Sequence, residues 1–454
     1  MRNSKKIIAL ALITGMLGLN CMPVFAIREK RVIQSQVTEY KFEDVNLDWW
    51  KNYNDEYLEG YIVKAVNNNQ DLRIATLKVE EARQNVKLQF SKELPTASVG
   101  VSPLLYKNQG VTNTESSFGL PMMVSYEADL FLKNHDKTKS VKKLHEVSKI
   151  NERAAYISIA SAVGATYFNI VKLDELISIQ NEIIKDRKQI YELMKQRNEQ
   201  GITSTADLVR ADKSYVMATT ELIDLKKARE IMLNSLAVLT GESPNNTDEF
   251  KRISYAELTY QKPIPQEISS EIITQRPDYL AAEKMVEKAG IDVRVAKKEF
   301  LPKIDILGLM FFSTGSLGGS MNWANALSAI AGSAMLPIFT GGAKFANLRL
   351  YKNKYEQIMQ SYYKTNLVAI QEVNDSLSNL KLDNEKYLKN LKSYDMQKAD
   401  FKYMEKRHEQ GIMSGLDLLQ QRENLLVINE MVAASKTQCY IDQISLYKAV
   451  GGKL

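Results

Sequence analysis

The chain has 454 residues, 44% of them hydrophobic and 25% charged, the proportions of a folded protein and not of a disordered one. Two cysteines, Cys21 and Cys439, cannot build a disulfide framework, and three histidines without a Cys/His cluster offer nothing for a zinc site. The formal charge of +6 includes Arg2, Lys5 and Lys6 of an acid-free first 26 residues; the near balance of the rest points to no nucleic-acid partner and no polybasic membrane anchor.

Residues 1–26 read as a secretory signal peptide: the basic start, an apolar run from Ile7 to Leu19, and small residues at Val24 and Ala26 that suit cleavage after Ala26. The run is too short to span a bilayer, which takes about 20 residues. Cys21 opens a rival reading, as the lipidated first residue of a lipoprotein, although Gly18 and Asn20 fit that signal poorly. No later segment carries about 18 uninterrupted apolar residues, so no membrane helix is expected. An exported chain of this kind is either soluble or crosses a membrane as strands.

The mature chain divides into a first repeat over 27–242, a polar linker over 243–264 and a second repeat over 265–454. A β-hairpin is predicted at about 96–131. Ala97, Val99 and Val101 alternate there with Thr96, Ser98 and Gly100, and Leu120, Met122, Val124, Tyr126, Ala128 and Leu130 with their neighbours. The tract that follows has no proline from 122 to 243 and few glycines, and is rich in Lys, Glu, Leu, Gln, Ala and Met. It predicts two very long helices meeting near Gly201; the first, from about Leu132 to Gln200, would be a rod of about 100 Å. The second repeat follows the same plan. A helix precedes a hairpin at about 303–339, with Ile304 and Ile306 on one strand and Ile330, Gly332, Ala334, Leu336 and Ile338 on the other, and a second helical hairpin turns near Gly411. Polar loops at Lys107–Ser117 and Ser313–Asn322 join the paired strands.

The duplication shows residue by residue. Met194, Arg197, Gly201, Ile202, Ser204, Asp207 and Leu208 match Met404, Arg407, Gly411, Ile412, Ser414, Asp417 and Leu418 without a gap, and Leu236 and Gly241 match Leu446 and Gly451 at the same offset. Upstream, Asp71, Ala75, Glu80, Leu94 and Pro95 match Asp278, Ala282, Glu287, Leu301 and Pro302.

Strands of about ten residues, apolar on one face and small or polar on the other, fit the wall of a membrane barrel. Four cannot close one. Single-chain barrels start at about eight strands, and open edges are not tolerated in lipid, so several copies must pool their hairpins.

With these features the sequence resembles the outer-membrane efflux proteins, the TolC-like exit ducts of tripartite pumps. The motifs are Trp49-Trp50, Asn68-Asn69-Gln70-Asp71-Leu72, Arg276-Pro277-Asp278 with Phe300-Leu301-Pro302, Pro337-Ile338-Phe339-Thr340-Gly341-Gly342, the two Arg-x-x-x-Gly-x-x-Ser-x-x-Asp-Leu elements and the closing Tyr447-Lys448-Ala449-Val450-Gly451-Gly452. The resemblance implies a mainly α fold with a membrane β-barrel: a homotrimer whose protomers give four strands each to one twelve-stranded barrel in outer-membrane lipid, above a periplasmic α-barrel holding most of the mass. It further implies a periplasmic adaptor docked at the helical tips, around Arg197, Gly201, Ser204 and Leu208 and around Arg407, Gly411, Ser414 and Leu418, and an inner-membrane transporter behind it. Asp207 and Asp417 would ring the narrow entrance with six carboxylates. Gln420 stands where some relatives carry a second acid, and Arg210 follows Asp207 as a pairing cation, so a single ring is what these residues support.

Simpler readings stand beside these. Ser204 with Asp207, and Ser414 with Asp417, also fit helix-capping boxes, and Arg197 and Arg407 suit the last turn of a helix without any partner. Gly315–Ser320 lacks the ending of a phosphate loop, Trp49 and Trp50 are expected to pack on the helical body, and Cys439 is expected to be buried. No catalytic constellation, cofactor or metal site emerges. The expected function is passive export of small toxic compounds or drugs across periplasm and outer membrane. A duct for type I protein secretion and, more distantly, a soluble periplasmic coiled-coil scaffold are the alternatives.

Overall fold

A computed structural model of the protein describes residues 46, 48–106, 115–245, 250–259, 268–314 and 326–453. The signal-peptide segment with Cys21, the Gly315–Ser320 loop and parts of the linker lie outside the described residues. The elements run α1 (Glu56–Asn68), α2 (Gln70–Phe90), β1 (Thr96–Val99), β2 (Ser102–Tyr106), β3 (Glu115–Glu127), α3 (Lys133–Glu199), α4 (Thr205–Thr240), α5 (Pro277–Lys298), β4 (Lys303–Thr314), β5 (Ala326–Met335), α6 (Ala343–Glu409) and α7 (Gly415–Ala449). Helices α3 and α6 are both 67 residues long, about 100 Å each.

Local chemistry sets the joints. Asn69 ends α1 and starts α2: its side chain accepts from the Asp71 and Leu72 amides and donates to the Leu239 carbonyl at 2.9 Å. Beside it Gly241 closes α4 at φ 74, where an added Cβ would lie 2.6 Å from the Asn68 carbonyl, so only glycine allows this approach. Asp55 caps α1 through the Tyr57 and Leu58 amides and accepts the Tyr167 hydroxyl at 2.6 Å. Burial first, and then this hydrogen bond, push the Tyr167 phenol far above its ordinary range; it stays protonated and donates.

Strands β1 and β2 are two stretches of one line on β3, because Thr96↔Ser125 and Ser102↔Gly119 belong to a single unbroken register. The gap between them faces Pro121. Its carbonyl accepts from the Gly100 amide at 2.9 Å, but proline has no N–H to return the bond. The sheet is therefore four strands wide, in the order β1/β2–β3–β4–β5 and antiparallel throughout, with β1/β2 and β5 as its edges.

At one end of the sheet β3 begins at Glu115 and β4 runs to Thr314, inside the segments expected as loops, and at the end beside the helices two strand limits also differ from the sequence expectation. Alternation continues through Ala128 and Leu130, yet β3 ends at Glu127. The Asp129 carboxylate there caps α3 through the Lys133 and His135 amides at 2.7 and 2.9 Å, and the chain must turn to place it. The last strand stops at Met335 and leaves out Leu336 and Ile338; Pro337 cannot extend the ladder.

The helical core joins the repeats. Trp49, Trp50 and Tyr53 are buried, Trp49 lies 5.1 Å from Tyr447, and Tyr53 contacts both Phe168 and Tyr440, which stack at 5.2 Å. A stretch of α3 is apolar enough on average to cross a membrane, but most of it is buried within the chain, where α3 packs on α1, α2, α4, α5 and α7. Cys439 is buried in α7, and burial raises its thiol to about 11, so it is an inert packing residue. Arg276 ties the start of α5 to the other helices of its repeat: it holds Asp278 in two bonds, reaches Glu372 on α6, and donates to the Ala449 carbonyl at 2.5 Å. Replacing a buried guanidinium that satisfies four acceptors strands a carbonyl and two carboxylates. Arg276→Ala is expected to destabilise the helical body by about 2–3 kcal/mol, measured as a lowered denaturation midpoint of the detergent-purified protein by circular dichroism at 222 nm.

Candidate functional site

The duplicated turns after α3 and α6 share one hydrogen-bond pattern. Gly201 at φ 72 and Gly411 at φ 74 sit just past the helix ends. The Ile202 amide donates back to the Arg197 carbonyl at 2.8 Å and the Ile412 amide to the Arg407 carbonyl at 2.9 Å, while the glycine amides bond Asn198 and His408. This is a Schellman closure, and it explains the spacing from arginine to glycine without any partner.

The next helices begin alike. Ser204 Oγ accepts the Asp207 amide at 3.2 Å and donates to Asp207 Oδ2 at 2.7 Å; Ser414 and Asp417 repeat both distances. The acid thus reaches back to the serine hydroxyl, where a standard capping box would have it take the backbone N–H of the cap. The motifs part company one turn later. Arg210 Nη1 lies 3.1 Å from Asp207 Oδ1, whereas the equivalent position after Asp417 is Gln420, and no cation pairs with Asp417 among the described residues. Leu208 and Leu418 are half-buried in the first turns of α4 and α7. Arg407 lies 5.9 Å over the Tyr403 ring, an internal use for its charge.

Two features of this region were not legible in the sequence. Ile202 and Ile412 are 67% and 61% exposed at the turns; their identity in both repeats, at a position that usually packs inward, was the available signal. The other is a reciprocal set of ion pairs between the repeats. From α3, Arg187 binds Glu423 through Nε and Nη2 at 3.0 and 2.6 Å and donates to the Ser214 carbonyl on α4. From α7, Arg422 binds Asp186 and Glu182, both at 2.6 Å. Asp186 is fully buried; burial pushes its carboxyl up, and Arg422 holds it down. Near the same arginine pair Glu430 reaches about 7, through burial and the Glu221 charge against the pull of Arg187. Among the described residues no group of three or more His, Cys, Asp or Glu side chains fits a metal ion.

A four-stranded sheet whose two edges are unpaired among the described residues, joined to duplicated helical hairpins whose longer arms are about 100 Å, defines a class of protein: a membrane channel with a long helical extension. Comparison with known proteins gives the family. The profile of the outer membrane efflux proteins matches residues 61–242 and 268–452. The probable efflux pump outer membrane protein TtgC of Pseudomonas putida is 24% identical over 412 residues, covering 89% of this chain and 84% of its own. The probable outer membrane lipoprotein SilC of Salmonella typhimurium is 26% identical over 416 residues, covering 89% and 87%. The crystal structure of the Campylobacter jejuni CmeC outer membrane channel superposes with a TM-score of 0.83 at 25% identity, over 93% of this chain and 91% of that one. The chain belongs to the outer membrane efflux protein family, and it is an outer-membrane efflux channel with a large periplasmic portion.

The ion pairs make a pH-dependent prediction. An acid whose pKa is raised by folding costs stability as pH climbs from its unfolded value, about 3.9, through the folded one. Removing Arg422 raises Asp186 further and widens that window upward. Arg422→Ala is expected to cost about 3 kcal/mol at pH 8 and clearly less at pH 5, where the carboxyl takes up a proton; thermal melts at the two pH values measure the difference.

Proposed function

We propose that three copies close their sheets into one twelve-stranded barrel in the outer membrane, and that their helical hairpins form a periplasmic duct through which small toxic compounds leave passively. The observation that carries this reading is the sheet itself: four strands, two open edges, and one face free of charged residues. Such a sheet is stable in lipid only when its edges are paired by other copies. The efflux-pump name of TtgC and the channel title of CmeC fit that role. Energy comes from an inner-membrane transporter reached through a periplasmic adaptor, and the duct itself performs no catalysis. The adaptor docks on the paired turns, with Arg197, Gly201, Ser204 and Leu208 in one half and Arg407, Gly411, Ser414 and Leu418 in the other. The lipoprotein name of SilC keeps lipidation of Cys21 as the alternative to removal of the whole leader.

Asp207 and Asp417 ring the entrance in this reading, but not equally. Arg210 cancels much of the Asp207 charge, so cation preference rests on Asp417, with Gln420 beside it adding none. Single-channel recording of the purified protein in planar bilayers tests this. Asp417→Ala is expected to weaken K⁺ over Cl⁻ selectivity more than Asp207→Ala, and Arg210→Ala to strengthen it. Equal effects of the two aspartate substitutions would contradict the unequal ring, and a folded protein that never opens channels would contradict the duct.

A further inference from the structure

The strand register sorts the sheet into two faces. Glu127, Lys303 and Asp305 share one face with Thr96, Ser98, Ser125 and Ser333. On the opposite face, with Val99, Met122, Val124, Ile306 and Ile330, no residue of the described strands is charged. Charged side chains on the lipid side of a barrel are strongly disfavoured. The first face is therefore the lumen wall of a closed barrel, and the second meets lipid.

The lumen wall is not uniformly polar. Its charges stand at the two ends of the strands: the register places Glu115 at the end away from the helices, and beside the helices the charges neutralise one another, with Lys133 2.9 Å from Glu127, and Lys303 2.9 Å from Asp305 and 3.4 Å from Glu127. Above this collar three successive cross-strand rows carry Leu307, then Met123 and Leu309, then Phe311 and Leu327. Ser98, Ser125 and Thr96 are the hydroxyls that interrupt these rows. Met123, Leu309 and Leu327 keep 44%, 38% and 69% of their surface exposed, although they are on the face that the charges assign to water. Phe311 is held in place: its ring lies across Gly119, where a Cβ would come within 2.3 Å of it, so the neighbouring strand leaves a bare backbone for the ring to cover.

We infer that the inner wall of the outer-membrane barrel carries an apolar belt, formed by Met123, Leu307, Leu309, Phe311 and Leu327, which favours passage of lipophilic organic molecules over small hydrated ions. The inference rests on the closed-barrel reading above. An apolar band in a pore disfavours bare water and ions and offers apolar cargo a surface to lie against. A passing molecule covers such side chains only in part, which gives weak, reversible contact suited to transit.

The test compares two monovalent organic cations of opposite lipophilicity, tetraphenylphosphonium and tetramethylammonium, as blockers of K⁺ current through single channels of the full mature protein in planar bilayers. Equal charge removes the ionic contribution. The wild type is expected to be blocked by tetraphenylphosphonium at a concentration at least about 10-fold lower, a ratio that corresponds to about 1.4 kcal/mol. Leu309→Ser/Phe311→Ser is expected to bring that ratio below about 3-fold and to raise K⁺ conductance. Ser125→Leu, which extends the row of Leu307 without touching the packing of Phe311 on Gly119, is expected to deepen the block and keeps the test open if the double variant does not insert. Wild-type channels blocked equally by both cations, or a ratio unmoved by Ser125→Leu, would overturn the belt alone. Wild-type protein that folds and forms no channel would overturn the barrel, and the belt with it.

Discussion

Hydrocarbon offers no partner for a bare peptide group, and this constraint governs the whole molecule. Strands β1/β2 and β5 are the edges of the sheet, and among the described residues no further strand pairs with either. In water an edge of this kind is an aggregation liability; in a bilayer it costs several kcal/mol per unpaired group. In the closed-barrel reading the demand for other copies is thus contained in a single protomer. Proline placement is consistent with it. Pro121 interrupts pairing only toward β1/β2, where the Gly100 amide still finds the Pro121 carbonyl; Pro103 takes one donor from the outward row of β2, and β5 carries no proline at all, so its outer row of groups is complete.

The helical part answers a different demand. Two hairpins whose longer arms are about 100 Å and whose shorter arms are about half that are too slender to be stable alone and must be held to each other. The structure does so at both scales of interaction. Near the ends of the repeats an aromatic cluster from Trp49 to Tyr447 supplies dispersion and burial, Asn69 and Gly241 fix a close backbone approach, and Arg276 gathers the carbonyl and carboxylates of three segments. Toward the turns, where polar residues dominate, Arg187 and Arg422 cross between the repeats in opposite directions. Each arginine binds acids of the other repeat, so the two halves are registered along the axis as well as held together. Asp136, near the start of α3, is joined to α5 in the same way. Although burial alone would raise its carboxyl, the Arg294 and Lys298 bonds hold it near 2.

Much of this was legible in the sequence because periodicity and punctuation are local. A period of two marked the strands, long tracts without proline marked the helices, and the repeated Gly201 and Gly411 marked the turns. Strand ends were less legible. Leu130 and Ile338 continue an apolar alternation whose termination is decided by a cap at Asp129 and a missing N–H at Pro337. The motif at Asn68–Leu72 could be quoted but not explained until Asn69 was seen to cap one helix and bind another. At the turns the sequence showed Ser204 and Asp207 as a capping pair, yet the asymmetry between Arg210 and Gln420 became physical only with the 3.1 Å approach of Arg210 to Asp207. The inter-repeat ion pairs were out of reach. Arg187 and Glu423 are 236 positions apart, and nothing local distinguishes either from the many solvated Lys and Glu on the same helices.

Cross-linking of the sheet edges addresses the central claim most directly. A cysteine at Ser98, on the β1 edge, is combined in turn with one at Leu327, Ala329, Ala331 or Ser333, on the β5 edge, in outer membranes from cells expressing the protein; the native Cys439 is buried and does not compete. A closed ring of three copies gives, for at least one pair, a disulfide ladder that stops at three chains and is absent from either single-cysteine protein. Folded, membrane-inserted protein that remains a monomer for every pair, or a ladder that continues past three, would contradict the closed barrel.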